Sequence, residues 1–67
     1  MKEALINLDR LLARHDWYYD YSDDHSVWTR GVIERDAINA EQRRLISEGL
    51  ATAEELIVLA DKYRPKG

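Results

Sequence analysis

There is no cysteine in this chain, so neither a disulfide framework nor a thiolate zinc site can hold it together. Proline occurs once, at Pro65, and glycine only at Gly31, Gly49 and Gly67, so no linker or low-complexity segment divides the sequence. No apolar run approaches the ~20 residues of a membrane span. The pattern after Met1-Lys2-Glu3 is amphipathic and lacks the apolar centre of a signal peptide. A cytoplasmic protein is the expectation. Cationic excess is missing too: 10 basic residues face 13 acidic ones, a net charge of −3. That balance argues against nucleic acid, whose backbone is held by cations that displace counterions.

The motifs of most catalytic chemistry are also lacking. The sequence has no Gly-rich phosphate loop, no nucleophile elbow and no His-Glu-x-x-His pair. Asp24, His25 and Ser26 are the residue types of a nucleophilic triad, but adjacent helical positions do not face one another. A short helical domain also offers little concave volume for a substrate. No enzymatic activity is expected. Asp20-x-Ser22-x-Asp24 begins like a calcium loop, yet His25 stands where glycine is needed and Gly31 where a bidentate glutamate is needed. His15, Asp16, Asp20, Asp23, Asp24 and His25 match no other ligand spacing, and no metal or cofactor is expected.

What remains is one short chain, residues 1–67, read as a single helical domain near the lower size limit for a stable core. Leu5, Leu8, Leu11, Leu12 and His15 share one helical face, with Lys2, Glu3, Asn7, Arg10 and Arg14 on others, which predicts helix 1 over about residues 2–15. Residues 16–22 form an aromatic connector. Asp23 and Asp24 suit the start of a long helix 2, over about residues 23–48, stopped by Gly49. Asn39-Ala40-Glu41-Gln42 resembles a weak capping box, so a kink near Asn39 is allowed. Val27, Trp28, Gly31, Val32, Ile38, Leu45 and Ile46 fall on its broad apolar face, and Arg35 and Gln42 land there as well. Thr52-Ala53-Glu54-Glu55 has the spacing of a capping box, opening helix 3 over about residues 53–64, with Leu56, Ile57, Leu59, Ala60 and Tyr63 as its buried stripe. The fold class is all-α, three helices. The expected core comprises Leu5, Leu8, Leu12, Tyr19, Trp28, Gly31, Ile38, Leu45, Leu56 and Leu59.

The stretch from His15 to Trp28 concentrates both tryptophans, both histidines and three of the four tyrosines. Trp and Tyr pair a large apolar surface with a polar tip, and they dominate interface hot spots. In an extended connector Trp17, Tyr19 and Tyr21 face one way and Tyr18 the other. A contact patch is drawn from Trp17, Tyr18, Asp20, Tyr21, Asp23 and Asp24, with Tyr19 assigned to the core and Gly31 read as a seat for Tyr19 or Tyr21. The expected function is therefore a non-enzymatic protein-binding module. The alternative is a small helix-turn-helix DNA-binding regulator built from residues 39–63, although its second helix carries Glu54, Glu55 and Asp61 against Lys62 and Arg64. Ile33, Ala37 and Ala40 form a second, weaker apolar strip on helix 2, through which a concentration-dependent homodimer is expected.

The pattern Leu11-Leu12-x-x-His15-Asp16-Trp17-Tyr18-Tyr19-x-Tyr21-Ser22-Asp23-Asp24-x-x-Val27-Trp28-x-x-Gly31 resembles a segment of small uncharacterised proteins of tailed phages and prophages. The resemblance covers roughly the first half of the chain and brings no functional residues with it. It implies a bacterial cytoplasm and a class of compact acidic proteins that modulate or inhibit a host protein by binding it.

Overall fold

A computed structural model describes residues 2–16, 19 and 22–64. Its elements are a 3-10 turn at Glu3–Leu5 followed directly by α1 (Ile6–Arg14), then α2 (His25–Ser47) and α3 (Ala53–Tyr63). Among the described residues there is no strand, and no helix is long and apolar enough to cross a membrane. At ~1.5 Å per residue the 23 residues of α2 account for most of the 38 Å long axis.

Each boundary has a local cause. Asp24 caps α2, its carboxylate accepting from the backbone N–H of Ser26 at 2.9 Å and of Val27 at 3.5 Å. The helix runs unbroken through Asn39, where a kink was allowed by the sequence. Its end is a Schellman turn: Gly49 takes φ +69°, the N–H of Leu50 donates to the Leu45 carbonyl at 2.8 Å, and that of Gly49 to Ile46 at 3.0 Å. Three residues on, the Thr52 hydroxyl accepts from the Glu55 N–H at 3.2 Å while the Glu55 carboxylate accepts from the Thr52 N–H at 3.0 Å. This capping box starts α3.

The short α1 is the centre of the domain. It packs on α2 and on α3, whereas those two helices have little direct contact with each other. Leu5, Leu8 and Leu12 meet Ile38 and Leu45 of α2, Ala51 of the turn, and Leu56 and Leu59 of α3. All eight are small or medium aliphatics. Tyr63 closes one side, its hydroxyl donating to Asp9 at 2.5 Å. Lys2 ties the start of the chain to the second turn, its ammonium reaching the Leu50 carbonyl and Glu55, both at 3.0 Å.

One expected core position, Trp28, is corrected, as are Ile46 on the apolar face of helix 2 and Ile57 in the stripe of helix 3. Trp28 is 43% exposed, and Ile46 and Ile57 are 49% and 59% exposed. For the two isoleucines the reason is geometric. Each apolar stripe is wider than the arc that α1 covers, and α2 and α3 do not close on each other to cover the remainder. For Trp28 the reason lies in the connector: Tyr19 takes the place over Gly31, and Trp28 has His25 as its ring neighbour.

Candidate binding surfaces

Of the expected contact residues, Trp17, Tyr18, Asp20 and Tyr21 lie outside the described residues. Tyr19 is half-buried, its N–H donating to the Asp16 carbonyl at 3.0 Å. Its ring meets that of His15 edge-on at 6.2 Å. His15 is buried, and its Nδ1 donates to Glu34 at 2.9 Å, joining the end of α1 to α2. Arg35 is half-buried on the same helix.

Asp23 is exposed, while Asp24 has structural work. The hydroxyl of Ser26 donates to the Asp24 carboxylate at 2.7 Å in addition to the two backbone donors. This set, led by the Ser26 hydroxyl, holds the Asp24 pKa below its ordinary value. One turn into α2 the His25 and Trp28 rings stack, centroids 6.0 Å apart and planes 22° from parallel. An indole with this much exposure, continuous in sequence with the aromatic connector, is a surface feature that periodicity had assigned to the core.

The sequence also misplaced a polar cluster. Glu41 was read as part of a cap, but it is only 7% exposed and faces α1. Its carboxylate accepts from Asn7 Nδ2 at 2.9 Å and from Arg44 Nε and Nη2 at 2.7 and 3.1 Å. Glu41 lies three residues after Ile38 and four before Leu45, so its place in the buried stripe was present in the spacing. The Arg44 contact, then that of Asn7, lowers its pKa. Lys2 and the Thr52 N–H do the same for Glu55.

Depressed carboxylate values fix the sign of the acid response. A group with a folded pKa below its unfolded value stabilises the fold above the unfolded pKa, and that contribution disappears as pH falls through the folded one. Melting temperature should therefore hold from pH 7 down to the ordinary Glu value of 4.5 and decline below it. Glu41→Gln should lower stability at pH 7 by about 1–3 kcal/mol and flatten the acid decline. Thermal melts of both proteins across pH check this; parallel curves would exclude Glu41 as a contributor.

Between the second half of α2 and α3 runs an open groove of about 430 Å³. Ile46, Leu56, Ile57 and Ala60 line its floor, with Arg43 and Arg64 on its rim. A separate strip at Ile33, Ala37 and Ala40 is also exposed. Among the described residues no three histidine or carboxylate side chains are grouped to hold a metal ion. Compared with protein-family models, curated proteins and solved structures, the chain matches none.

Proposed function

We propose that this chain is a non-enzymatic protein-binding module, acting through the aromatic connector and the first turn of α2. Given the phage resemblance, its target class is a bacterial host protein met in the cytoplasm. The observation that carries the reading is Trp28, nearly half exposed and stacked on His25 at the edge of a segment already rich in rings. A tryptophan spent on the surface of a chain this short does not serve the core, and interface hot spots are enriched in that residue. Self-association through Ile33, Ala37 and Ala40 is part of the same proposal. The outer face of α3, with Glu54, Val58 and Asp61 exposed, favours protein over a DNA phosphate backbone.

Trp28→Ala is expected to keep the circular dichroism and melting curve of the parent, with a stability change under about 1 kcal/mol. It should weaken capture of a partner from bacterial lysate by about 30-fold or more, the effect of a hot spot of ~2 kcal/mol. Tagged parent and variant are compared side by side, with any captured protein then titrated as a purified species. Unfolding of the variant would return Trp28 to the core, and undiminished capture would remove it from the contact surface.

A further inference from the structure

The α2–α3 groove lies apart from Trp28: the eleven positions from Trp28 to Asn39, where its lining begins, correspond to about 16 Å along the α2 axis. It exists because α1 packs on both other helices while those two have little direct contact with each other. The side chains that a closed bundle would bury there, Ile46 and Ile57, are the ones left in solvent. The groove is lined along α2 from Asn39 to Ile46 and along α3 from Ala53 to Arg64, spans of about 10 and 16 Å. That length takes two to three turns of helix, and the apolar floor takes the i, i+3/i+4 and i+7 anchors of an amphipathic one.

Charge selects among occupants. The chain as a whole is acidic, yet no carboxylate lines this groove, and both charged residues on its rim are arginines. Arg64 is met from behind by Asp61 at 3.2 Å. Arg43 makes no ion pair among the described residues, so its guanidinium has all its donors open to an incoming group. A second copy docking here isologously would set a cationic rim against itself, which like-charge juxtaposition disfavours.

We propose that the groove is a second, independent interaction site that receives a short acidic amphipathic helix of a partner protein, its apolar residues seated on Ile46 and Ile57 and its carboxylates on Arg43 and Arg64. Such a helix completes the domain as a fourth bundle element. Arg43, with its planar fork of donors, is suited to a bidentate carboxylate contact, and it contributes specificity over the apolar floor.

The test uses two fluorescent helical peptides of about 14 residues with the same leucine spacing, one with glutamate and one with lysine at the polar positions. Anisotropy titrations against the whole chain should give saturable binding of the glutamate peptide, with the lysine peptide at least about tenfold weaker. Arg43→Glu should reverse that preference, and Ile57→Ser should abolish binding of both. Both side chains are exposed, so circular dichroism should match the parent. Equal binding of the two peptides, or affinities unmoved by either substitution, would overturn the proposal. So would sedimentation showing a dimer that Ile57→Ser dissociates, which would assign the groove to a second copy. Association with anionic phospholipid vesicles in place of peptide binding would assign it to a membrane surface.

Discussion

Gly31→Ala should destabilise this protein, opposite in sign to the same change at an exposed helix position. In an open helix, alanine replaces glycine with a gain of about 1 kcal/mol, because it removes backbone freedom from the unfolded chain. At Gly31 an added Cβ would fall 2.6 Å from the Cβ of Tyr19 and 3.5 Å from its ring carbons Cγ and Cδ2. The Tyr19 Cβ is fixed to its own backbone, so it cannot swing aside as the tip of a flexible chain would. Relief requires moving the connector away from α2, and overpacking of this kind typically costs ~1–3 kcal/mol. Gly31→Leu should cost more, since the extra branches enter the same space. Urea denaturation of the parent and both variants decides the matter. An alanine variant as stable as the parent, or more so, would mean that Tyr19 is not seated on this glycine.

Leu8→Ala should have the larger effect of the two. Leu8 is completely buried, as is Leu45 across the α1–α2 contact, and it lies in the first turn of a nine-residue helix that both other helices depend on. Large-to-small changes at such positions cost about 2–5 kcal/mol. The lower end of ordinary domain stability is ~5 kcal/mol, where a chain of this size belongs. The variant is therefore expected to be largely unfolded at room temperature, with loss of helical circular dichroism and of a cooperative melt. Ile6→Ala, on the same helix but 39% exposed, is the control and should shift stability by less than about 1 kcal/mol. Similar melts for the two variants would mean that α1 is not the helix around which the core is built.

These contrasts mark what is readable in the sequence and what is not. Thr52 with Glu55, Asp24 before its helix and Gly49 after it act through neighbours a few positions away, so spacing alone was enough to place the helix ends. The leucine face of α1 was equally plain, because a single stripe there meets both partner helices. Periodicity identifies the apolar side of a helix but says nothing of how far the next helix reaches around it, and Ile46 and Ile57 fell in that difference. Trp28 was assigned inward because it falls on the apolar face of α2, one turn from Gly31 and Val32. Which ring takes the space over Gly31 is decided by the path of the connector, a tertiary property. Asn7, placed on the solvent side of helix 1, reaches Glu41 across 34 positions, and pairings at that separation leave no local trace.

The central position of α1 has a consequence for the order of events at synthesis. Lys2 and Asp9 find partners 53 and 54 positions downstream, at Glu55 and Tyr63. Elongation at about 5–20 residues per second leaves α1 without α3 for several seconds after it is made. A nine-residue helix is not stable alone in water, whereas the 23 residues of α2 exceed the ~12–15 at which isolated helices begin to persist. Helix α1 can dock on α2 once that helix has formed, but the part of its leucine face that meets α3 stays uncovered until α3 is made. Until Leu56 and Leu59 emerge, that part of the face is open to any chaperone near the ribosome.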